Sequence, residues 1–274
     1  MDDRLSILLT NDDGYGEPGI VAMGEELSQI ADVTVVAPAT DQSACGRAIS
    51  NEVTVDERDD GYAITGTPAD CVVAGLSEFA PDPDLVVAGC NEGANLGAYV
   101  LGRSGTISAA VEAAFFDVPA IATSMYVPVG DLAFEDVETT PADFAEATRA
   151  TRYLVEHALS AGVFEDASYL NVNVPMNGGR EPPMVVTRPS KRYEMDATRN
   201  GSTITVEDGV WETMDPETIP DPPGTDRRAV VEGQVSVSPL VAPHTTGSQA
   251  QLEALAEAYP RSRGRKSASE RTNE

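Results

Sequence analysis

Apolar residues along the chain follow two alternating patterns, which are short continuous runs of strand length and longer stretches with helical spacing. The first run is Leu5 to Thr10, and the first helical stretch is Pro18 to Ile30. Further strands are predicted at 33–37, 48–57, 62–65, 84–88, 120–124, 169–174 and 232–239, and further helices at 68–79, 104–116, 142–160 and 249–259. Continuous apolar strands that alternate with helices predict an α/β fold, with a mostly parallel sheet covered by helices on both faces.

The domain organisation follows from length and from a change in composition near Gly178. A chain of 274 residues allows one large domain, which we place at residues 1–259. Residues 178–230 are rich in Pro, Gly, Thr and charge, and we predict an extended arm of β-hairpins there, outside the core of the sheet. Residues 260–274 are polar and basic, and we expect them to form a disordered tail.

Composition excludes several classes of protein. No run reaches the roughly 18 apolar residues that a membrane helix needs, and the N-terminus has no signal-peptide pattern. We therefore expect a cytoplasmic protein without a membrane partner. The three cysteines are widely spaced, which argues against a disulfide framework or a zinc site and favours reduced thiols.

The charge balance is strongly acidic, with 45 Asp and Glu against 18 Lys and Arg and a net charge of −27. Such a surface repels nucleic acid and anionic lipid, so we expect no nucleic-acid partner. We interpret the excess of acid as an adaptation to a salt-rich cytosol, in which screening removes the self-repulsion.

The strongest local signal is Asn11-Asp12-Asp13-Gly14, directly after the first strand. Ligands of open α/β sheets bind beyond the carboxyl ends of the strands. Two adjacent carboxylates at that edge repel each other unless a cation lies beside them. The tetrapeptide alone fits an ordinary solvated turn equally well, because Asp-Gly is a common turn pair.

Two other predicted strands also end in loops with oxygen-bearing side chains. Ser43 lies in the loop after the second strand, and Asn91 and Asn95 lie in the glycine-rich loop after residues 84–88. Carboxylate, hydroxyl and amide oxygens together favour Mg²⁺ or Mn²⁺ over zinc.

The sequence Ser104-Gly105-Thr106 opens a predicted helix and could bind a phosphate, because a helix N-terminus offers free N–H groups and partial positive charge. Simple helix capping explains the same three residues. The chain has only two histidines, His157 and His244, and neither neighbours a candidate serine, so activation of water by a metal is a simpler route than a serine–histidine mechanism.

Taken together, these stretches resemble the SurE survival-protein nucleotidases. The resemblance covers most of residues 5–175. The matching stretches are Ile7 to Gly14, Pro18 to Ile20, Val35 to Pro38 with Ser43, Gly66 to Val72, Asp84 to Val87, Gly89 to Gly97, Ser104 to Thr106, Pro119 to Ala122 and Leu170 to Pro175.

The resemblance implies a Rossmann-like core with a C-terminal arm that helps to build a homodimer or homotetramer. It implies removal of phosphate from 5′- or 3′-nucleoside monophosphates, with one divalent metal ion per subunit. The metal ligands that it implies are Asp12, Asp13, Ser43 and Asn91. The substrate-binding residues that we assign are Asn11, Asn95, Ser104, Gly105 and Thr106. Arg103 departs from the family, which usually has Tyr there, and the loop after Ser43 departs as well.

Several alternatives remain open at this point. A broad-specificity phosphatase and a nucleotide-binding regulatory module without turnover both fit a phosphate site. A phosphatase with an aspartyl-phosphate intermediate fits less well, because Asp12 and Asp13 lack the one-residue gap of such enzymes. The sequence does not decide which of the two acids accepts a proton from water, or whether one of them attacks phosphorus itself.

Overall fold

The computed structural model describes residues 4–127, 137–176 and 181–242. The strands in these ranges are β1 (Leu5–Thr10), β2 (Ala31–Pro38), β3 (Val55–Arg58), β4 (Gly61–Ile64), β5 (Leu85–Glu92), β6 (Ala120–Tyr126), β7 (Tyr169–Pro175), β8 (Met184–Val186), β9 (Met195–Asn200), β10 (Thr203–Asp208) and β11 (Val235–Leu240). The α-helices are α1 (Pro18–Leu27), α2 (Pro68–Ala74), α3 (Gly105–Phe115), α4 (Ala145–His157) and α5 (Asp226–Val231).

Nine of the described strands form one sheet in the order β3-β4-β2-β1-β5-β6-β7-β11-β8. The pairs among β4, β2, β1, β5, β6 and β7 are all parallel, whereas β3 and β11 each pair with a neighbour antiparallel. The chain leaves β1 toward β2 on one side and returns to β5 on the other. The strand order therefore reverses between β1 and β5, which is where open α/β sheets bind ligands.

Two apolar clusters hold the helices against the two faces of the sheet. Ile7 and Leu9 point to the face that is covered by α1 and α4, where Phe144 is fully buried. Leu8 points to the opposite face, which α2 and α3 cover. Because neighbouring strand residues face opposite ways, the continuous apolar run of β1 serves both clusters. The predicted fold class, a mostly parallel sheet with helices on both faces, is confirmed.

Most predicted elements are present, with shifted ends. Helix α2 begins with a capping box, in which the Thr67 hydroxyl accepts the Asp70 N–H and the Asp70 carboxylate accepts the Thr67 N–H. The helix predicted to reach Phe79 ends in a π-helical turn, Gly75–Phe79. The strand predicted at 48–57 is reduced to β3, and β5 extends into the predicted glycine-rich loop as far as Glu92.

The segment predicted as a hairpin arm differs from the prediction in one respect. Strands β9 and β10 do form an antiparallel hairpin apart from the main sheet. Strand β8, however, joins the main sheet as its edge strand, because β11 offers it a parallel partner. Helix α5 packs beside β11. The helix predicted at 249–259 and the tail predicted at 260–274 lie outside the described residues.

The structure bears on the expectations for the cysteines and for membrane-spanning helices. Cys45, Cys71 and Cys90 are all free thiols, and the last two are buried. In the described part of the chain, none of the helices has the length and apolar character needed to span a bilayer.

Candidate functional site

The site begins at the carboxyl end of β1, where a tight turn fixes two adjacent acids. Asn11 is buried, and its Nδ2 donates to the carbonyl of Gly14 at 2.8 Å. Gly14 has φ of 127°, a conformation that favours glycine. The turn leaves Asp12 with only 3% of its surface exposed, whereas Asp13 is partly exposed.

Asp12 is held against the N-terminus of α3. The Thr106 hydroxyl donates to Asp12 Oδ1 at 2.6 Å. The approach of the two segments is close: a Cβ on Gly105 would lie 2.7 Å from Asp12 Cβ and 2.9 Å from Asp12 Oδ2. Glycine at position 105 therefore lets the start of the helix reach the carboxylate. On the other side, the Gln42 N–H donates to the Asp12 carbonyl at 2.8 Å.

Asp13 is held by the end of β5 instead. Its Oδ2 accepts the backbone N–H of Glu92 at 3.1 Å. The Glu92 carboxylate accepts the Thr139 hydroxyl at 2.8 Å. The two adjacent acids are thus fixed by two different elements.

The electrostatic environment raises the pKa of both acids. Burial raises the pKa of Asp12, although hydrogen bonds from Thr106 oppose the shift. Burial, followed by the charge of Asp12, raises the pKa of Asp13 to about 8. A cation beside the two carboxyl groups would lower both pKa values, because a nearby positive charge stabilises their ionised forms.

The loop after β2 carries Ser43 over the same edge. Ser43 is exposed, and its hydroxyl donates to Asp41 Oδ1 at 2.6 Å. The loop is anchored at a second point, where the Gly46 N–H donates to the Arg103 carbonyl at 2.9 Å. The Gln42 and Gly46 bonds therefore link the loop to Asp12 at one point and to the residue before Ser104 at another.

Asn91 and Asn95 come from the end of β5 and the loop after it. Asn91 is buried, and its Nδ2 donates to the Gly93 carbonyl at 2.5 Å. Asn95 Nδ2 donates to the Thr106 hydroxyl at 3.2 Å and to Ser124 Oγ at 2.8 Å. The Asn95 amide is therefore linked to Asp12 through Thr106.

The start of α3 combines capping with contact to Asp12. Ser104 Oγ accepts the Ile107 N–H at 3.1 Å, which is an N-cap bond. Ser104 also lines the cavity described below, whereas Gly105 and Thr106 are turned toward Asp12. Capping and ligand contact are thus compatible at Ser104.

Three supporting residues were missed by sequence reasoning. The carbonyl of Asn95 accepts Nδ2 of Asn171 at 2.9 Å and Nδ2 of Asn173 at 3.1 Å, and Asn173 Oδ1 accepts the Asn95 N–H at 2.8 Å. Asp226 Oδ2 accepts the Gly97 N–H at 2.7 Å. The sequence did carry a signal for Asn171 and Asn173, because these asparagines alternate with apolar residues in a strand that is otherwise buried on both faces.

One cavity of about 700 Å³ brings most of the candidate residues together. Its polar lining contains Asp12, Ser43, Asn91, Asn95 and Ser104. Asp13 contacts Glu92, another lining residue. Asn11 and Thr106 are buried behind this lining. A second cavity, of about 520 Å³ beside α4 and β8, is lined by none of the candidate residues.

The donor set fits a hard divalent cation. Two carboxylates, one hydroxyl and one amide offer oxygen atoms, which Mg²⁺ and Mn²⁺ prefer. Over the described ranges, no cluster of three or more His, Cys, Asp or Glu side chains could hold a metal ion. A site here therefore depends on the neutral oxygens of Ser43 and Asn91 as well as on the two acids. His157 lies at the exposed end of α4, stacked on Tyr153, and His244 lies outside the described residues.

The strand order and the cavity beside the acids define a doubly wound α/β protein with a polar cavity at its topological switch point. The chain belongs to the survival protein SurE family, whose model matches residues 7–197.

Several relatives cover nearly the whole chain. The 5′-nucleotidase SurE of Haloarcula marismortui is 61% identical over 258 residues, which are 94% of this chain and 96% of that protein. The 5′-nucleotidase SurE of Natronomonas pharaonis is 60% identical over 256 residues, covering 93% of this chain and 100% of that protein. The crystal structure of the SurE protein from Aquifex aeolicus matches with a TM-score of 0.72 at 32% identity, covering 92% of this chain and 97% of that one.

Proposed function

We propose that this chain is a divalent-cation-dependent phosphomonoesterase that hydrolyses nucleoside 5′-monophosphates to nucleoside and phosphate. One observation carries the proposal: the buried Asp12 lines one cavity together with hydroxyl, amide and helix N-terminal groups, and the adjacent Asp13 is bound to Glu92 of the same lining. The names of the relatives support the nucleotide as substrate, because 5′-nucleotidases act on such esters.

The cation would be held by Asp12, Asp13, Ser43 and Asn91, with Mg²⁺ and Mn²⁺ as the candidate ions. When bound, such an ion supplies Lewis acidity toward a phosphoryl oxygen and lowers the pKa of water. The need for a cation follows from the charge of the protein. The protein carries −27, so a phosphate dianion approaches a site that already contains two carboxylates.

The chain's own residues orient the groups and stabilise negative charge. Thr106 and the Glu92 N–H fix the two carboxylates in different directions. The N-terminus of α3, with Ser104 at the cavity surface, presents a partial positive charge to the equatorial oxygens of the ester. Asp13 is less buried than Asp12, and it does not accept a hydroxyl donor as Asp12 does. We therefore assign Asp13 as the general base that accepts the proton of the attacking water.

The same proposal extends to 3′-monophosphates, to a cytoplasmic location and to a homodimer or homotetramer built through the arm. The exposed strand β10 supports the last point, since Ile204 and Val206 are 60% and 64% exposed there. Apolar residues at such a hairpin are typical of a contact with another copy of the chain. The molecular mass in solution tests this part separately.

The experiment that tests the function is phosphate release from a panel of nucleoside monophosphates by the wild-type protein and by Asp12→Asn. The substitution keeps an oxygen for the Thr106 hydroxyl but removes the charge. We expect turnover to fall by about a hundredfold or more, because one charged ligand is lost.

The matched control is Asp32→Asn, since Asp32 is an exposed aspartate near the start of β2, at the end of the parallel strands opposite to the site. It should keep wild-type turnover. Near-normal turnover in Asp12→Asn would remove the proposed site. Tight nucleotide binding by the wild type, without phosphate release under any divalent cation, would instead identify a regulatory binding module.

A further inference from the structure

The cavity has a second wall, which the proposed chemistry does not use. This wall consists of the apolar and aromatic side chains of the cavity lining, namely Val100, Tyr126, Val127, Trp211 and Met214. Apart from the Tyr126 hydroxyl, these side chains offer no oxygen to a cation, and none of them carries a positive charge for a phosphate. The wall therefore suits the uncharged part of a substrate whose phosphate lies at the acidic end.

Trp211 is held on this wall by a chain of contacts. It opens a short 3₁₀ helix, in which the Thr213 hydroxyl donates to the Val210 carbonyl at 2.8 Å. The Val210 side chain is buried, and its N–H donates to Asp208 Oδ1 at 3.2 Å. The other carboxylate oxygen of Asp208 accepts the Tyr99 hydroxyl. Tyr99 directly precedes Val100, so this hydrogen bond links the segment that carries Val100 to the segment that carries Trp211.

The exposure of Trp211 also needs an explanation. The indole is 43% exposed in a chain whose surface is otherwise rich in acid. A large aromatic face beside a charged site is typical of positions where a planar ring stacks, because every nucleobase has a π-face. Met214, one turn further along, offers a polarisable thioether to the same ring.

We propose that Trp211 and Met214 form a nucleobase subsite, in which the base of the monophosphate stacks on the indole. This inference rests on the proposed function and names the part of the substrate that the arm recognises. The stacked area is larger for a purine than for a pyrimidine, so the subsite favours purine nucleotides. Segment 211–214 then acts as a specificity element and takes no part in the chemistry at phosphorus.

The kinetic test compares AMP with ribose 5-phosphate, which has the sugar and the phosphate but no base. In Trp211→Ala we expect kcat/KM for AMP to fall about tenfold, mainly through KM, while kcat/KM for ribose 5-phosphate stays unchanged. Trp211→Phe should recover much of the loss, because it restores an aromatic face. The control is Phe116→Ala, since Phe116 is equally exposed, at 43%, but lies at the end of α3 outside the cavity.

The outcomes separate the inference from the proposed function. An unchanged kcat/KM for AMP in Trp211→Ala would overturn the subsite, and so would an equal loss on both substrates, which indicates a general structural effect. If the wild type hydrolyses neither substrate, the proposed function fails, and a binding measurement decides the subsite alone.

That measurement uses intrinsic fluorescence, because Trp211 is the only tryptophan in the chain. In the presence of chelator, adenosine and AMP should quench its emission in a saturable way, and ribose 5-phosphate should not. Equal responses to all three ligands, or no response to adenosine and AMP, would overturn the stacking.

Discussion

Asp12 and Asp13 are neighbours in sequence, but they are positioned by different parts of the fold. Thr106 at the start of α3 binds the first, and the backbone at the end of β5 binds the second. The sequence predicted that both acids lie at the sheet edge, because a turn follows an apolar strand. It could not predict the contact between Thr106 and Asp12, since that contact depends on how α3 packs across the sheet. The geometry at Gly105 makes the contact testable.

Gly105→Ala should damage the site without removing any functional group. A Cβ at this position would lie 2.7 Å from Asp12 Cβ, so the carboxylate or the helix start must shift. We expect kcat/KM for a nucleoside monophosphate to fall by about tenfold to a hundredfold, since misplacement by about 1 Å costs rates of that order. Steady-state kinetics at saturating divalent cation provide the measurement.

Gly102→Ala is the matched control, because a Cβ on Gly102, three residues earlier, meets nothing within 4 Å. It should retain wild-type kinetics. Equal activity of the two variants would mean that the approach of α3 to Asp12 has no role in turnover.

Among the elements, the loop after β5 depends most on contacts that are distant in sequence. Asn171 and Asn173 of β7 hold Asn95, and Asp226 at the start of α5 holds Gly97. Periodicity predicted β5 before this loop and α3 after it, because burial alone produces those patterns. It did not predict the polar network, because the alternating asparagines of β7 do not show which distant segment they bind. For the same reason it missed β8, which pairs only because β11 lies beside it.

Asp226→Asn should destabilise the protein. The carboxylate accepts three backbone N–H groups, from Gly97, Ser190 and Arg227, at 2.7–2.9 Å. An amide replaces one of its acceptors with a donor and leaves at least one buried N–H unpaired. We expect the free energy of unfolding to fall by about 1–3 kcal/mol. Urea unfolding measures it.

The control for this variant is Asp196→Asn, because Asp196 is an exposed aspartate of β9 that bonds only the neighbouring N–H of Ala197. Its stability should stay within about 0.5 kcal/mol of the wild type. A stable Asp226→Asn variant would show that these three bonds do not hold the loop.

Across the whole molecule, the net charge of −27 opposes the compact state through self-repulsion. The fold class was predictable because it depends on the order of apolar segments, whereas the balance between repulsion and the two apolar clusters depends on the solvent. Our hypothesis of a salt-rich cytosol makes a claim about that balance.

We expect thermal stability to rise as KCl increases from about 0.1 M to about 1 M, since the Debye length falls from about 10 Å to about 3 Å. Thermal unfolding at a series of KCl concentrations checks this. A double variant, Glu57→Gln with Asp59→Asn, removes two exposed acids and should be more stable than the wild type only at low salt. An unfolding temperature that is independent of KCl would contradict the hypothesis.

The central claim is that the acids at the end of β1 work through a divalent cation on a phosphate ester. The most direct test is phosphate release from AMP by protein that has been stripped with chelator and then supplied with Mg²⁺ or Mn²⁺. We predict no release from the stripped protein and full release after the cation is returned. Undiminished release from stripped protein in the continued presence of chelator would contradict the claim.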